Sequence, residues 1–285
     1  MNKQTISLFA LLLAACGFFF SCRNTSNRHA GALEFDSIQV NETSHLFGDT
    51  AKPACNLVIK LTYASRATDA KLKDSLNTFF LSTCLGSKYL TMTPQEAVKA
   101  YTEKYVDNYR KDLEPMFRKD EQERQDRASM EAWYSYYKGI ESRVQLYFKH
   151  LLVYRIDYNE YTGGAHGIYM STFVNIDLQT LSPITLDDLF VADYKEALTD
   201  LLWNQLMADN KVATRQELED MGYATTGALE PVDNFYLSPQ GITFHYNVYD
   251  IAPYVMGPVE ITLPYEVMRY LLKDDFGVLN EIKNS

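Results

Sequence analysis

Hydrophobic and polar positions follow two periods along most of this chain, and those periods predict its elements. Leu57, Ile59, Leu61 and Tyr63 alternate with Asn56, Val58, Lys60 and Thr62, a period of two that predicts a strand with one buried face. Leu72, Leu76, Phe79 and Phe80 recur at helical spacing within residues 68–83. Thr93-Pro94-Gln95-Glu96 opens a further helix: threonine caps it, proline takes the first position, and the acid meets the positive end of the dipole. That helix is expected to run on toward Asp112. Residues 118–127 carry eight charges, four of each sign, and so predict a solvated helical surface rather than an electrostatic patch.

From Ser142 the alternation becomes unusually long. Val144, Leu146, Phe148, His150, Leu152, Tyr154, Ile156 and Tyr158 fall on one face, and Arg143, Gln145, Lys149, Arg155 and Asp157 on the other. After a glycine-rich turn, Met170, Thr172, Val174, Ile176 and Leu178 alternate again, which predicts a long hairpin over 142–178. Leu198, Leu201, Leu202 and Leu206 make an amphipathic helix, followed by a polar loop through Gly222, Thr226 and Gly227. Ile242, Phe244, Tyr246 and Val248 predict one strand, Val259, Ile261 and Leu263 another, and Pro264-Tyr265 opens a closing helix through Leu272. Strands in hairpins and helices in blocks define an α+β fold with antiparallel sheets and packed helices.

The first residues predict the compartment. Lys3 is the only charge before Arg23, and Ile6 to Phe20 is dominated by Leu, Ala and Phe, the layout of a signal peptide over residues 1–21; an uncleaved anchor helix is the alternative. A bacterial lipoprotein signal ends in small residues before a cysteine that becomes lipidated. Cys16 follows Leu13-Ala14-Ala15, but cleavage there would leave Gly17-Phe18-Phe19-Phe20 at the new terminus. Cys22 stands where apolar character stops and a polar tether begins, so lipidation is assigned to Cys22 and residues 22–34 to the tether. The expected localisation is extracytoplasmic, lipid-anchored to the bacterial cell envelope. In that oxidising setting Cys55 and Cys84 become candidates for a disulfide, with two small apolar core residues as the other reading.

Composition narrows function further. The chain has 285 residues, 46% hydrophobic and 22% charged, the profile of a globular protein of one large or two small domains. Its net charge is −10, and loss of Lys3 with the signal gives 26 − 37 = −11, which opposes nucleic-acid binding. Cysteines at 16, 22, 55 and 84 form no CxxC and match no zinc pattern, so no metal or cofactor is expected.

The remaining signal is the segment Tyr161-Thr162-Gly163-Gly164-Ala165-His166-Gly167. Three glycines in five positions supply positive φ and permit close approach, and a strand rather than a helix follows, which argues against a nucleotide loop. This heptapeptide, with Asn175-Ile-Asp177, Ile184-Thr-Leu-Asp-Asp-Leu-Phe190, Gly241-Ile-Thr-Phe-His-Tyr246, Tyr249-Asp-Ile-Ala-Pro-Tyr254 and Gly257 through Pro264-Tyr265, resembles the C-terminal domain of the RsiV anti-sigma factor and of PdaC-type peptidoglycan deacetylases. Residues 35–157 resemble, more weakly, the PdaC-like domain that precedes it, so the expected domains are 35–157 and 158–285. Thr180-Leu181 departs from the usual Thr-Gly turn.

The resemblance implies an extracytoplasmic module whose relatives face the cell wall and which in RsiV recognises lysozyme. Deacetylation belongs to a further catalytic domain and sigma-factor capture to a cytoplasmic segment, neither of which this sequence displays, so no catalytic residue is assigned. The expectation is a non-catalytic binding lipoprotein for cell-wall glycan or a basic secreted protein such as lysozyme, with Tyr161, Thr162, Gly163, Gly164, His166 and Gly167 as ligand-binding residues. A hydrolase of cell-wall glycan around His166 is the alternative, and a purely structural envelope protein a third. His166 itself has a bland role open to it, a ring holding the shape of its turn. His150 reads as a core histidine and His245 as a polar-face residue beside Asn247. The tyrosines, 21 in all, could stack on sugars, although strand propensity explains most of them.

Overall fold

The computed structural model describes residues 33–123, 127–274 and 276–283, so Cys22, the signal and most of the tether lie outside the described residues. Within them the α+β expectation is met. The elements are β1 (Glu34–His45), β2 (Ala54–Arg66), α1 (Ala70–Leu85), α2 (Pro94–Glu123), α3 (Arg127–Tyr134), β3 (Tyr136–Phe148), β4 (Leu151–Tyr161) and β5 (Ile168–Asp177). There follow β6 (Ser182–Pro183), α4 (Leu186–Leu189), α5 (Lys195–Asn210), α6 (Arg215–Asp220), β7 (Phe235–Ser238), β8 (Gly241–Tyr246), β9 (Val259–Leu263), α7 (Tyr265–Met268) and α8 (Gly277–Lys283). Strands β1 to β6 form one sheet in chain order, and β7 to β9 a second.

The predicted strand at 57–63 is β2, in which Cys55, Leu57, Ile59 and Leu61 are buried in strict alternation. It pairs with β1 antiparallel but with β3 parallel, and the three helices α1, α2 and α3 form the crossover. Thr93 caps α2 as expected: Glu96 Oε2 accepts from the Thr93 backbone N–H at 2.9 Å, which holds its carboxyl below the usual range. The helix continues beyond Asp112 and past Pro115 because Tyr109, Leu113 and Phe117 stack along one buried face, four residues apart.

Residues 142–178 form a meander rather than one hairpin. The long alternation from Ser142 to Tyr158 is broken at Lys149, whose φ is 50°, and Phe148 pairs with Leu151 across a two-residue turn. This turn shifts the parity, since Phe148 shares a face with Leu151 rather than with Leu152, and the sequence shows no break because both faces of β4 are apolar from Leu151 to Tyr154. A bulge between Val144 and Leu146 then moves Leu146 to the opposite face, against the C-terminal core, while Val144 stays with the N-terminal one. His150 is thereby a turn residue, bonded through Nδ1 to Glu281 at 2.9 Å, not a core histidine.

Strand β4 is the shared centre of the molecule. Leu152, Tyr154 and Ile156 face the core under α1, and Leu151 and Val153 face the core built by the C-terminal half. The expected domain boundary at 157/158 thus falls inside a continuous strand whose two faces serve two cores. Phe80 of α1 stacks on Tyr154 with centroids 3.9 Å apart and planes 6° from parallel. The Tyr154 hydroxyl donates to the Thr62 carbonyl at 2.6 Å and lies 2.6 Å from Ser142 Oγ.

The bridge expected between Cys55 and Cys84 is absent: both are free, buried thiols. Cys55 sits among Tyr109, Phe117 and Tyr134, whereas Cys84 belongs to the separate cluster around Phe80 and Tyr154. Burial pushes each thiol up to about 11, so they behave as small apolar core residues.

The second sheet is fastened to β5 by asparagines. Asn175, 2% exposed, donates to the Phe235 carbonyl and accepts from Leu237 N–H, both at 2.9 Å. Asn234 accepts from Phe173 N–H at 2.9 Å and donates to Ser171 O at 2.9 Å. Side-chain amides here do the work of a missing strand ladder. Among the described residues no helix is long and apolar enough to cross a membrane.

Candidate functional site

Most of the motif residues are accounted for by folding. In Ile184 to Phe190, Thr185 and Asp188 form a reciprocal capping box on α4, while Ile184, Leu186, Leu189 and Phe190 are buried. Asn175 ties the sheets together, and Asp177 Oδ1 accepts from Gln179 N–H in the following turn. Gly241 lets the Leu263 carbonyl pass where a Cβ would meet it at 2.1 Å. Leu181, at the departing turn, takes a φ of 54°, the left-handed conformation that glycine would adopt without strain. His245, expected on a polar face, is 3% exposed and holds Glu260 at 2.9 Å through Nδ1, and this bond lowers the Glu260 carboxyl's pKa.

Two motif segments instead reach the surface, and they reach it together. The turn 161–167 joins β4 to β5, and its glycines are needed there for different reasons. Gly163 and Gly164 have φ of 86° and 103°, a region that L side chains rarely enter. At Gly167 the constraint is space, since a Cβ would stand 2.8 Å from the Glu160 carbonyl. Tyr161 Oη lies 2.9 Å from Gly164 O and 3.2 Å from Ala132 O, so it can donate across the turn or to α3. Thr162 is exposed.

The second segment, residues 249–254, follows β8. Here the ring of Tyr254 stacks on His166 at 4.4 Å, and its hydroxyl donates to Gly167 O at 3.0 Å. Tyr249 Oη is 3.3 Å from His166 Nε2, while His166 Nδ1 is 3.2 Å from Gly167 O. Tyr169 meets Tyr254 edge-on at 5.7 Å. The result is an aromatic shelf of His166, Tyr169, Tyr249 and Tyr254, with the exposed Val255 next to Tyr254 in the chain.

One backbone outlier marks this shelf. Tyr249 has a φ of 71°, which costs an aromatic residue about 1–2 kcal/mol and leaves its ring 44% exposed. Positive φ recurs at Phe47, Lys149, Leu181, Asp193, Lys211 and Ala224, none of them on the shelf, where Tyr249 lies. The polar loop predicted at 222–227 supports the arrangement, because Gly227 lacks the Cβ that would collide with Asp250 O at 2.2 Å.

Of the expected site residues, His166, Gly163, Gly164, Gly167 and Tyr161 shape or form this shelf. Tyr249, Tyr254 and Tyr169, none of them among the expected ligand-binding residues, complete the cluster, and the first two are the opening and closing residues of the motif 249–254. Among the described residues no cluster of His, Cys, Asp and Glu could hold a metal ion. Substitution Gly164→Val is expected to destabilise the protein by at least about 1–2 kcal/mol through φ alone, since no atom lies within 4 Å of the new Cβ. A thermal melt unchanged from wild type would show that the turn is loose.

Fold and site together define a two-sheet α+β protein with a cluster of aromatic side chains where the turn after β4 meets the segment after β8. Residues 187–266 match the family model described as "Protein of unknown function (DUF3298)". A crystal structure of a DUF3298-family member, BF2082 from Bacteroides fragilis, is 63% identical, with a TM-score of 0.87 over 90% of this chain and 100% of the other. The chain belongs to the DUF3298 family. A second member, PA4972 from Pseudomonas aeruginosa, shares the fold at 17% identity and a TM-score of 0.62, over 86% of this chain and 96% of its own. No curated protein matches the chain.

Proposed function

We propose that this protein is a non-catalytic cell-envelope receptor that binds a basic secreted protein, with lysozyme as the first candidate, through the shelf of His166, Tyr169, Tyr249 and Tyr254. The observation that carries the reading is the strained, exposed Tyr249 beside the stacked His166–Tyr254 pair. Tyrosines presented with apolar neighbours are the composition of interaction hot spots. A net charge of −10 favours encounter with a cationic partner. The resemblance to RsiV suggests the same class of partner. The hydrolase alternative finds less in the geometry, because the ring partners of His166 are a carbonyl, a phenol and an aromatic face rather than a carboxylate that could tune it for proton transfer.

Calorimetry with lysozyme tests this reading. Saturable binding is expected at about 50 mM salt, with association slowed at about 500 mM as exposed charges are screened. Absence of binding at the lower salt would sink it. The envelope location rests on residues outside the described ones and is part of the same proposal. Labelled palmitate should enter the wild type and be lost in Cys22→Ala, whereas loss only in Cys16→Ala would move the anchor.

A further inference from the structure

A second concave surface lies away from the aromatic shelf, where α2 crosses the sheet beside β3. It is a cavity of about 360 Å³ that includes Thr162 of the glycine turn in its lining and none of the shelf residues. Its walls are tyrosines: Tyr89 and Tyr101 at 5.8 Å centroid separation, Tyr109 and Tyr136 at 5.5 Å, and Tyr105 between them in sequence. Spacing along α2 explains the row, because residues 101, 105 and 109 are each one turn apart and share one face.

The polar groups of this groove differ from those of the surrounding surface. Lys88, Lys104 and Lys138 line it against Asp112 and Glu160, a local balance of 3 − 2 = +1 within a protein of −10. Lys138 is occupied, since its Nζ pairs with Glu160 at 3.1 Å. Lys88 and Lys104 are exposed; Lys88 lies over the Tyr89 ring at 5.9 Å, and neither lysine has a carboxylate partner among the described residues. The hydroxyl of Tyr105 is shielded from solvent and has no hydrogen-bond partner, so it lies behind the groove surface and adds nothing to the groove's chemistry.

Stacking faces and uncommitted cations together select one ligand chemistry. Tyrosine rings offer apolar faces to the C–H side of a pyranose and polar edges to its hydroxyls. Unpaired lysines select a carboxylate, and a cavity of this size takes a ring of one or two sugars rather than a protein surface. From this groove we infer that the protein has a second binding site, for a carboxylate-bearing saccharide, with the sugar ring against Tyr101, Tyr105 and Tyr136 and the carboxylate held by Lys88 and Lys104. The site uses none of the shelf residues, so it stands whether or not the shelf binds a protein.

The test is a titration of the full mature chain with N-acetylmuramic acid, using N-acetylglucosamine, the same ring without the lactate, as the neutral control. Tyrosine ring resonances in the nuclear magnetic resonance spectrum report occupancy. N-acetylmuramic acid should bind at least about fivefold tighter than the neutral sugar at low salt, the worth of one charge-assisted contact. The double variant Lys88→Gln/Lys104→Gln should bind the two sugars equally. Tyr101→Ala should weaken both sugars several-fold, because it removes one of the stacking rings. Tyr249→Gly should change neither affinity. Equal binding of the two sugars by the wild type, no perturbation of tyrosine resonances, or affinities untouched in both groove variants would each overturn the inference. So would loss of sugar binding in Tyr249→Gly, which would place the sugar on the shelf.

Discussion

Replacing Tyr154 with alanine is expected to cost about 3–5 kcal/mol of stability, the range for deleting a buried aromatic ring. Tyr154 is fully buried at the centre of β4, stacked face to face on Phe80, and its hydroxyl joins β2 and β3 through Thr62 and Ser142. Removing the ring leaves a cavity in the N-terminal core and strips the Thr62 carbonyl and Ser142 Oγ of their shared partner. Tyr154→Phe keeps the stack and removes only the hydroxyl, so about 1–2 kcal/mol is expected for it. The ring should therefore outweigh the hydroxyl. Equilibrium denaturation in urea measures both, and a Tyr154→Phe loss equal to that of Tyr154→Ala would show that hydrogen bonding, not packing, holds this core. Since β4 serves both cores, the two halves should also lose structure in one transition.

The second large effect is expected on binding. Tyr249 sits at φ 71°, a conformation that glycine adopts freely. Tyr249→Gly is therefore expected to leave the melting temperature unchanged or raise it, while removing a ring that a bound protein would cover. Loss of a central tyrosine from an interface costs about 2 kcal/mol or more, roughly 30-fold in affinity. Adding Tyr254→Ala removes the stack on His166 and the bond to Gly167 O, and the pair should weaken binding by at least about 100-fold. This separation of stability from affinity distinguishes a recognition surface from a structural cluster, in which the substitution that relieves strain would have no functional cost.

How far the sequence carried these conclusions depended on what each signal encodes. Strand β2 was readable because one face is buried and the other is not, so Leu57, Ile59 and Leu61 stand out from their neighbours. The meander is hidden for a physical reason: the two-residue turn at Lys149 and His150 shifts the parity, but β4 is buried on both faces, so apolar residues at every second position run on as though the strand never reversed. Strand β1 escaped notice because it lies at the sheet edge, where apart from Ser44 only Ile38 of its 12 residues is buried. The parallel pairing of β2 with β3 follows a crossover of three helices, and no local pattern reports it. Cysteine spacing says nothing of which cluster each thiol enters, so the expected bridge failed.

The site was half legible. His166 and its glycines were singled out because three glycines around a histidine demand an explanation. Tyr249 and Tyr254 sit more than 80 positions away in the chain, and β8 with the asparagine ties to β5 brings them to the turn. The strain at Tyr249 is a backbone property and leaves no trace in the order of residues. The orphan hydroxyl of Tyr105 is likewise invisible until the helix is laid on the sheet.

The central claim is that the shelf, and not the general acidity of the protein, recognises the partner. Its most direct test is the affinity for lysozyme of wild type, Tyr249→Gly and Tyr249→Gly/Tyr254→Ala at one salt concentration, with each protein shown by thermal melting to be folded. None of these substitutions changes the net charge, so electrostatic attraction is constant across the series. The account predicts affinity falling stepwise, by roughly 30-fold and then by at least about 100-fold relative to wild type, through faster dissociation. Equal affinities in three folded proteins would contradict it and would leave lysozyme held by charge alone.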